Sequence, residues 1–228
     1  MEELPQPMDE LLTALKPYAT NRVVKKGTIV LYQSEIPRQA LIVRKGLFRA
    51  YTITSTGEER IVNLHAKNDI LGLSWVYGET KSSLFYYEAV ENSEIASVSK
   101  DQLLEITAKN PKFTKSILKL LVNGYTALLL RVTALEQSSA AEKIALTLYF
   151  LIIRHGSEKK PGIYTINLKM TQSMIASLVG LTRESTAVNL KLLKKKQIVS
   201  YSSFVYTVNK ENLERFVGED SFRDLQLD

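Results

Sequence analysis

The 228-residue chain contains no cysteine, which excludes disulfides, iron–sulfur clusters and thiolate zinc sites together. Its two histidines, His65 and His155, are too few to build a histidine metal centre, so no metal ligands are expected. No run of eighteen apolar residues occurs, and the opening MEELPQPMDELL is acidic and proline-containing rather than basic and then apolar. Neither a membrane span nor a secretory signal is expected; the cytoplasm is the expected compartment and a membrane is not an expected partner. There is also no nucleophile–base pair and no glycine-rich phosphate loop, so no catalytic residue and no cofactor is assigned and an enzyme is not expected.

What charge there is lies unevenly. The net charge is +6, yet residues 139–217 carry 12 Lys/Arg against 5 Asp/Glu, residues 1–138 carry 17 against 15, and the last eleven carry 1 against 4. A basic excess on one small C-terminal segment is the electrostatic footprint of a nucleic-acid binder, although a lysine-rich solvated surface gives the same count.

After a short helical opening, residues 22–98 read as Val-, Ile-, Tyr-, Phe- and Thr-rich strands punctuated by glycines, with TSTGEE around Gly57 as a hairpin turn. Many short strands at regular spacing predict a barrel or roll. Ser99 with Gln102 forms a capping box that starts a helix, and Pro111 starts another that runs to about Gln137. This long helix carries Ile117, Leu121, Gly124, Leu128, Val132 and Leu135 near a heptad rhythm, a stripe that predicts a dimer interface. Ser139 and Glu142 form a second capping box, so a new helix starts at once and a hinge falls at Ser138 and Ser139.

In KMTQSMIASLVGLTRESTAVNLKLLKKKQIVSYSSFVYTVN, Thr171 caps a helix that Gly180 ends. Thr182 then caps a second helix whose Val188, Leu190, Leu192 and Leu193 are expected to face inward, and a hairpin follows across Ser202 and Ser203. Helix, short turn, helix and hairpin make a winged helix-turn-helix, in which the start of the second helix enters the DNA major groove. The candidate DNA-contacting residues are Thr171, Gln172, Thr182, Arg183, Glu184, Ser185, Thr186, Asn189, Lys191 and Lys195. Arg183 can donate two hydrogen bonds to guanine, Glu184 can accept from cytosine, and the hydroxyls and lysines suit phosphates.

GLTREST, with KGTIVLYQSE, IVRKGLFRAY, GEERIVNLHAKNDILG and KNP in that order, resembles the cyclic-AMP receptor protein and fumarate–nitrate regulator family over almost the whole chain. The resemblance implies an α+β architecture: a β-roll sensor domain (1–110) resembling the cyclic-nucleotide-binding jelly roll, a central dimerisation helix (111–138) and a winged helix-turn-helix domain (139–219), followed by an acidic tail (220–228). It implies a homodimeric bacterial transcription regulator whose partners are double-stranded DNA with a two-fold symmetric operator and RNA polymerase. Arg183 and Glu184 match the family's recognition pair, while its second arginine falls on Val188 and its usual Val or Ile on Thr186.

By the same resemblance, DILGLSWVYGETKSSLFYYEA corresponds to the family's phosphate-binding cassette. The glutamate that holds the ribose falls on Leu73, and the Arg-Ser pair that holds the cyclic phosphate falls on Ser83 and Leu84. Without the charged partner, cyclic-AMP control is not expected. Leu73, Trp75, Tyr77, Lys81, Ser83 and Phe85 are the candidate effector-pocket residues; the aromatics among them either fill the roll or line a site for an apolar effector, with Lys81 placed to hold an anion.

Overall fold

The computed structural model describes residues 7–78 and 80–218. The chain divides into two compact units, one up to Val122 and one from Asn123. The first opens with α1 (Pro7–Leu15), continues through β1 (Thr20–Val24), β2 (Ile29–Leu31), β3 (Ala40–Lys45), β4 (Phe48–Ile53), β5 (Glu59–His65), β6 (Ile70–Leu71), α2 (Leu73–Tyr77), β7 (Tyr86–Ala89) and β8 (Ser93–Val98), and ends in α3 (Lys100–Lys109) and the start of α4 (Pro111–Glu136). The second holds the rest of α4, then α5 (Ala140–His155), β9 (Gly156–Lys160), β10 (Ile163–Ile166), α6 (Gln172–Val179), α7 (Arg183–Lys195), β11 (Val199–Ser202), β12 (Val205–Asn209) and α8 (Lys210–Val217). The acidic tail lies outside the described residues.

The eight N-terminal strands form two antiparallel four-stranded sheets, β1-β8-β3-β6 and β2-β7-β4-β5. Leu41, Val43, Phe48, Ala50, Leu71, Tyr87 and Ile95 come from both sheets and share one apolar cluster, the interior of the roll. The first sheet is buried on its other face too, where Ala40, Ile42, Ala96 and Val98 meet Leu11 and Leu15 of α1, Leu103 of α3 and Phe113 of α4. Two covered faces explain why β3 reads as the continuous apolar run ALIV instead of alternating. The outer face of the second sheet carries charge: Arg49 bridges Glu59 at 2.6 Å and Glu88 at 2.7 Å.

In the second unit α5 is buried at every residue from Ile144 to Ile152, as a helix that is apolar all round must be. It packs on α6, α7, α8 and β10. The sheet order β11-β12-β10-β9 puts the β11–β12 hairpin at one edge, the wing. Strand β9 (GSEKK) and helix α8 were not legible as elements in the sequence. The first is polar throughout and pairs only with β10.

Gly46 and Gly57 both hold a left-handed backbone, with φ of +92° and +82°, but a Cβ on Gly46 would lie 2.9 Å from the Ser93 Cα while one on Gly57 would meet nothing within 4 Å. Gly57→Ala is therefore expected to cost the backbone penalty alone, about 1–2 kcal/mol. Gly46→Ala adds overpacking and is expected to cost about 2–5 kcal/mol. Urea unfolding of the two variants measures this, and equal losses would contradict it.

Candidate nucleic-acid interface

The reading head is built from local chemistry. The Thr171 hydroxyl accepts the Met174 amide at 3.2 Å and starts α6, which ends at Gly180 in the left-handed conformation, φ +69°. Thr182 repeats the device at 3.1 Å on the Ser185 amide and starts α7. Glu184 in the first turn and Lys194 and Lys195 in the last lie where the helix dipole favours their charges.

Thr171, Thr182, Arg183, Glu184, Lys191 and Lys195 are exposed, and Gln172, Ser185 and Asn189 are half-buried, with the Asn189 amide donating to the Ser185 carbonyl at 2.8 Å. Arg183 and Glu184 make no ion pair with each other, and among the described residues nothing engages either head group. The lysine run divides. Lys194 sits over the Tyr201 ring at 5.2 Å and Lys196 over the Phe216 ring at 5.2 Å, while Lys191 and Lys195 have no partner among the described residues.

Three expectations are corrected here. Thr186 is fully buried, and its hydroxyl donates to the Thr182 carbonyl at 2.9 Å, so it is not on the DNA-facing surface. Val188 and Leu192, expected inward, are exposed. The inward stripe is Thr186, Leu190 and Leu193, spaced by four and three residues.

Sequence reasoning missed the tip of the wing. The two residues with positive φ at the hairpin turn are Ser203 (+50°) and Phe204 (+68°), one position later than expected. Phe204 is 60% exposed. It lines an open groove of about 530 Å³ together with Thr171, Gln172, Arg183 and Tyr201.

On α4 the outward apolar residues are Leu118, Leu121, Tyr125, Leu128, Val132 and Leu135, at intervals of three and four, with Val122 and Leu129 beside them. Ile117 is not among them: it is buried with Leu11, Leu15 and Phe113 in its own unit. Gly124 lies next to the stripe, and a Cβ there would meet nothing within 4 Å, so nothing in this chain requires a glycine. Arg131, between Leu128 and Val132, is buried, and its Nη2 donates to the Leu178 carbonyl at the end of α6 at 3.1 Å. Although the sequence has no continuous apolar run of eighteen, α4 is long and apolar enough to cross a membrane by length and composition, with mean hydropathy 1.4.

The six effector-pocket candidates are not brought together. Leu73, Trp75 and Tyr77 lie on α2 and pack toward the cluster under α1 and α3, where the Lys100 ammonium donates to the Trp75 carbonyl at 2.7 Å. Phe85 packs on the roll interior instead. The buried Ser83 hydroxyl is turned to the Phe85 carbonyl at 2.7 Å, and Lys81 is exposed. The physical reason is that α2 is amphipathic and its apolar side has a core of its own to cover. Among the described residues no cluster of His, Asp and Glu could hold a metal ion.

Residues 21–110 match the cyclic nucleotide-binding domain family, and residues 142–216 match the Crp-like helix-turn-helix domain family. The chain is similar to the fumarate and nitrate reduction regulatory protein of Vibrio cholerae, 26% identical over 212 residues that make up 92% of this chain and 81% of that one. It is also similar to regulatory protein HlyX of Actinobacillus pleuropneumoniae, 27% identical over 205 residues, 89% of this chain and 81% of the other. Its fold is that of FixK2 from Bradyrhizobium japonicum, with TM-score 0.71 at 19% identity over 86% of this chain and 96% of that one. A cyclic nucleotide-binding domain containing protein from Listeria monocytogenes EGD-e gives TM-score 0.75 at 15% identity, over 90% and 99%. A β-roll followed by a long helix and a helix-turn-helix defines a DNA-binding transcription regulator and not an enzyme. The chain belongs to the CRP/FNR family of such regulators.

The burial of Thr186 has a measurable consequence. Thr186→Val removes a hydroxyl that only doubles the backbone bond its own amide already makes to the Thr182 carbonyl. Stability is expected to change by less than about 1 kcal/mol and DNA affinity not at all; a loss of affinity in fluorescence anisotropy would return Thr186 to the interface.

Proposed function

We propose that the protein acts in the cytoplasm as a homodimer on a two-fold symmetric DNA site whose half-sites lie one helical turn apart, about 34 Å, and thereby biases transcription by RNA polymerase. The observation that carries the base-reading assignment is the pair Arg183 and Glu184, exposed and uncommitted at the start of α7. Arg183 reads guanine by a bidentate contact and Glu184 accepts from cytosine N4. Thr171, Gln172, Thr182, Ser185, Asn189, Lys191 and Lys195 position the helix, chiefly on phosphates. Val188, outward and 66% exposed where the family pattern has an arginine, favours a thymine methyl at that step.

The functional division that fits this reading is a sensor roll (1–110), a dimerisation helix (111–138) and a DNA-binding domain (139–219). The heptad stripe on α4 is the dimer seam, because a second copy buries six large side chains at intervals that match a coiled-coil contact. The alternation with Lys115, Lys119, Asn123 and the buried Arg131 along the same helix favours that seam over a lipid-facing span.

The roll does not respond to cyclic nucleotides. Leu73 and the Ser83–Leu84 pair supply no charge at the cassette, and Phe48 and Tyr87 fill the interior. Any effector is a non-nucleotide small molecule, and the two domains shift between orientations of which DNA selects one.

Selection of bound sequences from random duplexes by the purified protein tests the reading. A two-fold symmetric motif is expected; no enrichment would leave a sensor acting through protein partners. Arg183→Ala is expected to cost about 1–3 kcal/mol on the selected site and to relax one base pair, with unchanged selectivity counting against the contact. Leu128→Glu is expected to give monomers in native mass spectrometry and to abolish the preference for a full site over a half-site; a stable dimer of this variant would place the seam elsewhere.

A further inference from the structure

We infer that Phe204, at the wing tip, is a DNA-contacting residue whose ring packs on the deoxyribose faces of the backbone flanking each half-site. This rests on the DNA-binding reading of α7 and extends it to an apolar contact that charge and capping patterns do not mark.

Three observations lead there. A two-residue hairpin turn with positive φ at both positions selects Asn, Asp and Gly, yet here it holds Ser203 and Phe204. A bulky residue with positive φ is an outlier, because its Cβ crowds the following carbonyl, so the position loses stability by carrying a ring. The loss is not recovered by packing, since Phe204 is 60% exposed. What holds the conformation is the backbone: the Phe204 carbonyl accepts the Met170 amide at 2.9 Å, which fixes the tip beside the start of α6.

The third observation is continuity. Phe204 shares one groove with Gln172 at the start of α6 and Arg183 at the start of α7. A duplex placed with Arg183 in its major groove runs its sugar–phosphate chain along that groove, past the free amides of the α6 N-terminus. Residues 199–208 carry no charged side chain, so the wing offers the backbone an apolar surface instead of an ion pair. Strain kept at an exposed position is explained when the exposed group has a partner in the functional state.

The test compares the wild type with Phe204→Gly and Phe204→Tyr on two duplexes that carry the selected site, one with several flanking base pairs on each side and one trimmed at the site's edges. Phe204→Gly relieves the backbone, so its thermal midpoint should equal or exceed that of the wild type. Its affinity for the long duplex should fall roughly tenfold, the scale of one buried aromatic side chain. The slope of log affinity against log salt should not change, because no phosphate contact is lost. On the trimmed duplex the wild type and Phe204→Gly should bind alike, and Phe204→Tyr, which keeps the ring, should retain the wild-type affinity on both.

Equal affinity of wild type and Phe204→Gly on the long duplex overturns the inference. If that variant also loses transcription activation or repression in a purified system, the ring serves a protein partner instead. A wild type that selects no DNA sequence defeats the underlying reading of α7, a result distinct from either.

Discussion

The orientation of α7 depends on one contact stripe. Thr186, Leu190 and Leu193 are the helix's buried residues, and α7 packs against α5. Each of the leucines contributes about 1.5–3 kcal/mol of burial, enough to fix the helix azimuth. Once that side is fixed, helical geometry leaves Glu184, Val188, Lys191 and Lys195 on the opposite side, at intervals of four, three and four. The DNA-facing surface is thus a consequence of core packing. On the reading proposed above, the basic excess of the segment supplies affinity and the few groups near the start of α7 supply choice.

Core packing also shapes the roll. A sheet with both faces covered needs apolar residues on both, and α2, α3 and the start of α4 supply the second cover. Trp75 and Tyr77 pack against that cover. On the other sheet's outer face, Arg49 is engaged by two glutamates. The roll has an apolar interior, so on the reading proposed above a signal reaching it would change packing more readily than charge.

Local features were legible in the sequence because their causes are local. Ser99, Ser139, Thr171 and Thr182 each cap the helix expected of them, accepting the amide three residues on, and Gly180 takes the left-handed turn. What was not legible needed a neighbour to decide it. Val188, Leu190, Leu192 and Leu193 surround α7 with apolar side chains, and only the position of α5 shows which two are covered. On α4, Ile117 and Leu118 are adjacent and equally apolar; the roll takes one and leaves the other to solvent. The wing tip lacks the Asn or Gly that marks such turns, so its register was placed one residue early. Strand β9 exists only because β10 offers it an edge.

Arg131 joins two of these features within the C-terminal unit. Burial lowers its pKa to about 10, still far above neutrality, so the guanidinium keeps its charge and the bond to the Leu178 carbonyl is charge-assisted. That carbonyl belongs to the last turn of α6, where helix acceptors have no partner of their own. Leu128, Val132 and Leu135 stand on the exposed side of the same helical segment. A rotation of α4 that improves the packing of those three side chains on a second copy also moves Arg131, and with it the turn from Gly180 to Thr182 that sets the start of α7. Breaking the bond would remove a charge-assisted hydrogen bond worth about 1.5–3 kcal/mol. The Arg131–Leu178 bond thus ties the C-terminal part of α4 to the end of α6, one link across the Ser138–Ser139 junction by which the pairing proposed above would bear on how Arg183 and Glu184 are presented.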